Sequence, residues 1–240
     1  MNQVTLFSTC VGEEFFPGAI GAAKTVLNRL GLEVIVRQEA FCCGQSAFNE
    51  GMRRNAVELA ARFLDTHKPG TPLVIPSGSC TSMIKVFFPD LLAAEPALLE
   101  KARELIPWVH EFSDFLVNVL EVCDVGATFP HPVTYHPSCH LLRELHIVEP
   151  PRKLLENVRG LTLCELPRST ECCGFGGLFS VKFPDISAAM LADKCKCIEA
   201  SGAEFVVAND GGCLMQIGGG LHRANSRVRP RHLAEILASR

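Results

Sequence analysis

Two short stretches, "FCCG" at 41–44 and "ECCGFGG" at 171–177, each set a pair of adjacent cysteines before a glycine. They are the middle of a longer repeat. Cys10, Cys42, Cys43 and Cys80 follow one another at intervals of 32, 1 and 37 residues, and Cys139, Cys172, Cys173 and Cys213 at 33, 1 and 40. The flanks repeat as well: "LFSTC" with "YHPSC", "FCCGQ" with "ECCGF", "VIPSGSC" with "VANDGGC", and "IPWVHEFSDFL" at 106–116 with "SRVRPRHLAEIL" at 226–237. A unit of about 120 residues used twice requires each half to build one arrangement of elements around the same four thiols. Gly and Pro punctuate the join near "VGATFPHP" at 125–132, so the expected units are 1–128 and 129–240.

Periodicity supplies the elements. "VTLFST" is a β-rich run ending at Cys10, and Ile20, Ala23, Leu27 and Leu30 then recur three or four apart before Gly31, the pattern of a helix and its stop. "LEVIVR" reads as a strand running toward Cys42 and Cys43. Met52, Ala56, Leu59, Ala60 and Phe63 form a second helical stripe, and "PLVIPS" a strand before Cys80. "PVTYHPS", "LTLCEL" and "EFVVAND" repeat the order in the second half. Strands alternating with helices predict an α/β fold of two similar lobes, each a small parallel sheet flanked by helices. The eight repeated cysteines then fall just past the carboxyl ends of strands, the edge at which open α/β sheets bind ligands.

Twelve cysteines in a 240-residue chain that is 48% hydrophobic do not resemble the disulfide frame of a small secreted domain, because such a chain has core enough without cross-links. No signal-like N-terminus or spanning apolar run is present, which predicts a cytoplasmic protein in a reducing compartment, with peripheral membrane association left open. A net charge of −3 and no long basic run argue against nucleic acid as a partner. Four clustered thiolates are soft ligands suited to zinc, copper(I) or an iron–sulfur cluster. Structural zinc favours paired knuckles with two to four residues between ligands. Adjacent cysteines suit a cluster better, since neighbouring thiolates can meet different irons. Gly44 and Gly174 would accept a positive φ and bring amide N–H groups close to sulfur. Zinc in a structural module is the alternative; a vicinal disulfide is disfavoured by its strained ring and the reducing compartment.

A cysteine, about thirty residues, Cys-Cys-Gly, then about thirty-five to forty residues and a terminal cysteine, duplicated over essentially the whole chain, resembles the cysteine-rich CCG domain. That domain occurs in the B subunit of heterodisulfide reductase, the iron–sulfur subunit of glycolate oxidase and related proteins. The resemblance implies an iron–sulfur electron-transfer subunit of a multi-protein complex oxidising L-lactate or a related 2-hydroxy acid. Its partners would be other iron–sulfur or lactate-oxidising subunits. It also implies one or two [4Fe-4S] clusters on Cys10, Cys42, Cys43, Cys80, Cys139, Cys172, Cys173 and Cys213. The reductase-type motif ends in Cys-x-x-Cys, whereas here Ser77 and Asp210 stand at the first of those positions. Each half therefore keeps four thiols, which weakens a disulfide-cleaving alternative.

Other polar residues carry weaker signals. His136 and His140 bracket Cys139 and are placed to bond a cluster, ligate a metal or relay a proton, although loop histidines are ordinarily solvated or capping. Cys195 and Cys197 lie two apart on an expected helix and so point to different faces. Cys123 and Cys164 read as small core or surface residues. "CGFGG" lacks the Lys-Ser/Thr of a phosphate loop. Arg168 lies near the second cysteine pair, where an ordinary surface arginine is the simpler reading. No flavin or nicotinamide signature accompanies these residues.

Overall fold

The structure, a computed structural model, describes residues 2–37 and 42–240. Two four-stranded sheets run β2-β1-β3-β4 and β6-β5-β7-β8, and every strand pair is parallel. The strands are β1 (Gln3–Phe7), β2 (Glu33–Arg37), β3 (Leu73–Ile75) and β4 (Val109–Glu111), then β5 (Pro132–Tyr135), β6 (Thr162–Cys164), β7 (Phe205–Ala208) and β8 (Arg229–His232). The two orders are identical, as the duplication requires. Central strands β3 and β7 are buried at every residue, the unbroken apolar run expected where helices cover both faces of a parallel sheet.

Helices form where the periodicity places them. Pro17–Arg29 begins with proline, whose missing N–H costs nothing at that position, and buries Ala19, Ile20, Ala23, Val26 and Leu27. It stops before Gly31, whose φ of 84° lies in the left-handed region. Met52 does not belong to the second stripe: it precedes the helix Arg53–Thr66 as its N-cap and is 52% exposed, while Ala56, Ala60, Phe63 and Leu64 form the buried face. The approach from β2 to Cys42, residues 38–41, lies outside the described residues.

The fourth strand of each sheet was not visible in the sequence. β8 reads "RPRH", which has no β signature, yet Arg229 to His232 pair with Phe205 to Ala208. Tertiary pairing decides this strand, and a half-buried edge position tolerates its proline.

Each lobe closes on the other. The final helix, Leu233–Ala238, packs on Pro17–Arg29 of the first lobe, while the π-helical turn Phe115–Val119 at the end of the first lobe packs on Glu149–Glu156 of the second. One core runs through both lobes as a result, taking Val4, Leu6 and Leu27 from one side and Val133, Leu154 and Leu237 from the other. Arg29 fastens this crossing by donating to the carbonyls of Val125 at 3.0 Å, Leu237 at 3.1 Å and Ala238 at 2.7 Å. Separate cores lie under the cysteine loops of each lobe, one around Phe63 and Met83, the other around Ile198 and Ile217. Among the described residues no helix is long and apolar enough to cross a membrane.

Candidate metal centre

In both sheets the strand order reverses beside the first strand, so the loops leaving β1 and β3, or β5 and β7, part to opposite faces and leave a crevice. Cys10 and Cys80 leave that crevice in one lobe, and Cys139 and Cys213 in the other. Cys42 and Cys43, or Cys172 and Cys173, arrive from the neighbouring edge loop. All twelve cysteines are free thiols, so the adjacent pairs are not vicinal disulfides.

The four thiols of each half form one connected chain. Cys43 Sγ donates to Cys80 Sγ at 3.4 Å. Cys10 bonds to Cys42, which holds the Cys42 thiol far below its ordinary range, and Cys43 and the Gly44 amide assist. Its neighbours shift the other way: Cys10 is pushed up by its bond to Cys42 and then by burial, and Cys43 by its bonds to Cys42 and Cys80. The second half repeats the pattern, with Cys172 held low by Cys139, then Cys173, and Cys139 and Cys173 both raised. Cys213 is lowered to about 6, first by its bond with Cys173 and then by His136, against its burial. Thiols crowded in this way share protons because four adjacent anions repel; a bound cation removes that repulsion and permits all four to ionise. The residues therefore fit a thiolate-bound metal or cluster.

The glycines act as the repeat suggests. Gly44 and Gly174 have φ of 85° and 83°, and their amides reach Cys42 Sγ at 3.4 Å and Cys172 Sγ at 3.3 Å. A Cβ on Gly174 would stand 2.7 Å from the Ser187 carbonyl oxygen, whereas one on Gly31 would meet nothing within 4 Å. Gly174→Ala should thus cost at least about 3 kcal/mol, from the unfavourable φ plus the clash, and Gly31→Ala about 1 kcal/mol. Urea unfolding of the two variants measures the difference, and equal losses would contradict the steric account.

The two cysteine sets face one cleft, lined by Cys10 and Cys80 from the first lobe and by Cys139, Cys172, Cys173 and Cys213 from the second. At its floor Ser77 and Asp210, the two residues standing where the longer motif has a further cysteine, bond to each other. Ser77 Oγ donates to Asp210 Oδ1 at 2.7 Å, and the Ser79 amide donates to the same oxygen at 2.9 Å. Asp210 is 3% exposed, and among the described residues its other carboxylate oxygen has no hydrogen-bond partner. Asp210→Ala leaves buried donors unpaired across the lobes, so a loss of about 2 kcal/mol in unfolding free energy is expected, with metal content unchanged. Loss of metal in that variant would instead make Asp210 a ligand.

A second cross-lobe network went unnoticed in the sequence. Glu111 ends β4 and caps the following helix through the amides of Ser113 at 2.7 Å and Asp114 at 3.1 Å. Its free oxygen accepts from Asn209 Nδ2 at 2.8 Å, and Asn209 Oδ1 accepts from Tyr135 at 3.0 Å. Burial pushes the Glu111 carboxyl up to about 7 despite these donors. His232 holds the equivalent place in the second lobe: it caps Leu233–Ala238, and its Nε2 lies 3.1 Å from the Pro76 carbonyl. The signal lay in the paired ends of the repeat, one Glu against one His.

The remaining sequence candidates separate clearly. His140 joins the lobes, with Nε2 3.2 Å from Gln45 Nε2 and Nδ1 3.3 Å from Ser82 Oγ and 3.4 Å from Glu144. His136 is buried beside Cys173 and Cys213. Arg168 pairs with Glu171 at 2.6 Å on the surface, the ordinary role. Its carbonyl, however, accepts from Lys194, a buried lysine that the sequence did not single out. Cys195 and Cys197 are buried along the helix Pro184–Ala200, while Cys123 and Cys164 are half-buried.

Fold and site together define a duplicated, thiol-lined α/β protein. The model of the CCG cysteine-rich domain matches twice, over residues 4–85 and 133–218, and the chain belongs to that family. It is 43% identical over 238 residues to lactate utilization protein A of Bacillus licheniformis, covering 99% of this chain and 100% of that one. The protein of the same name from Bacillus subtilis is also 43% identical, over the same shares of both chains. Among solved structures, a hypothetical protein from Helicobacter pylori matches with a TM-score of 0.64 at 14% identity, over 98% of this chain, which spans about half (48%) of that one. That likeness concerns the fold.

Proposed function

We propose that the chain is an iron–sulfur electron-transfer subunit of a cytoplasmic complex oxidising L-lactate or a related 2-hydroxy acid. The observation carrying this reading is the equivalence of two four-thiol sets at the switch points of two matching sheets, both opening on one cleft. Cys10, Cys42, Cys43 and Cys80 would hold one [4Fe-4S] cluster, and Cys139, Cys172, Cys173 and Cys213 a second. When bound, such a group takes up and releases single electrons at a potential set by its ligands and surroundings.

The protein's own groups prepare for that charge. The amides of Gly44 and Gly174 donate to one sulfur in each set, and Cys213 lies in the first turn of Gly211–Arg223, where unpaired N–H groups favour a thiolate. The apolar cores beneath the cysteine loops exclude water. Ser77 and Asp210 engage one another, which favours four thiolates per set and electron carriage over disulfide cleavage. Removing two electrons from a 2-hydroxy acid calls for a hydride or carbanion acceptor, and that chemistry falls to partner subunits.

The test is iron and acid-labile sulfide content, with EPR, on the anaerobically purified full chain. About four iron and four sulfide per set, with a cluster signal on reduction, is the expected result. A colourless chain that takes up zinc alone would sink the reading.

A further inference from the structure

The two halves share their thiols but not what surrounds them. Three residues before Cys10 stands Phe7, and three before Cys139 stands His136. Gly44 lies over Ala56, as Gly174 lies over Ser187, and seven residues beyond these come Phe63 and Lys194. In the first half Phe7 and Phe63 meet edge to face, with ring centres 5.3 Å apart. In the second the same two places hold an imidazole and an ammonium group, both buried. The duplication has kept eight sulfurs and made one floor polar.

His136 is 1% exposed, and among the described residues neither ring nitrogen has an oxygen or nitrogen partner, while the Cys213 thiol lies beside the ring. Burying an imidazole against thiols is costly unless both are engaged, and a shared ligand engages them. Its position is fixed, because its amide donates to the Val207 carbonyl at 2.8 Å at the end of β5. A ligating nitrogen of His136 and the sulfurs of Cys173 and Cys213 all lie within 4.8 Å of one another. Imidazole and thiolate together suit zinc, cobalt(II) and iron. Lys194 does not compete for this place, since its Nζ is taken by the carbonyls of Arg168 at 3.1 Å and Ser169 at 3.3 Å.

We infer that His136 is a nitrogen donor to the metal held by Cys139, Cys172, Cys173 and Cys213, so that the two halves are chemically different sites. The first half, with Phe7 in that place, is closed at four sulfurs; the second has a fifth donor. This rests on the metal-binding part of the function proposed above and is independent of cluster type.

Cobalt(II) added to the anaerobic apo-protein is the probe, with pulsed EPR of full-length chains carrying natural-abundance or 15N-labelled histidine. The expected result is a directly coordinated nitrogen coupling that changes with the label and persists in His140→Gln. In His136→Gln that coupling should vanish while the sulfur-to-cobalt charge-transfer band remains. Absence of nitrogen coupling in the cobalt-loaded wild type, its loss in His140→Gln, or its survival in His136→Gln would each overturn the inference. If His136→Gln takes up no cobalt, the labelled wild type and His140→Gln still decide. A wild-type chain that takes up neither cobalt nor iron fails the proposed function, and this inference with it. A loaded chain without nitrogen coupling fails this inference alone.

Discussion

Cys213→Ala is expected to lower the iron content of the reconstituted chain to about half, and Cys80→Ala to do the same from the other side. Each cysteine belongs to a separate chain of four thiols, so removing one leaves three ligands in its own set and four in the other. The EPR signals remaining in the two variants should differ and should sum to that of the wild type. Complete loss in either variant would mean that both sets hold one shared group across the cleft. Because Cys213 is buried and small, alanine leaves only a minor void, and the fold should persist with a loss of about 1 kcal/mol in the apo state. Circular dichroism distinguishes loss of ligand from loss of fold.

Glu111 should make the apo-protein less stable as pH rises through neutrality. Its carboxyl titrates at about 7 in the folded chain against an ordinary 4.5, so between those values the folded state binds the proton and the unfolded state does not. The full contribution is therefore present below about pH 4.5 and is lost as pH climbs through 7, a swing of about 3 kcal/mol. The Cys213 thiol titrates nearby, at about 6, so the measurement is the difference between wild type and Glu111→Gln in urea at pH 5, 6, 7 and 8. Glutamine keeps an acceptor for Asn209 but cannot ionise; the difference should favour the wild type least at pH 8. A pH-independent difference would contradict the assigned burial. Glu111→Ala removes the helix cap and orphans Asn209, and about 3 kcal/mol is the expected loss.

Much of the fold was legible because its signals are local. Pro17–Arg29 announces itself by its stripe and Gly31, and β3 by an apolar run ending before Cys80. The repeat multiplied that evidence, since each half checked the other. β4 and β8 escaped because "VHE" and "RPRH" carry no strand pattern; they pair where the neighbouring strand offers an edge. Met52 fits the spacing of the helix face, but the turn before Arg53 places it outside.

By itself the sequence determined which thiols belong together, the strand–loop–helix unit that carries them, and the glycines behind the paired cysteines, because spacing and backbone sterics act over short stretches of chain. Only the tertiary structure decided what those units face. It exchanged terminal helices between lobes, set Ser77 against Asp210 over 133 residues of chain, and buried the His136 ring beside Cys213. Contacts between distant segments depend on how two amphipathic layers pack, and a residue's own neighbours in the chain do not encode that.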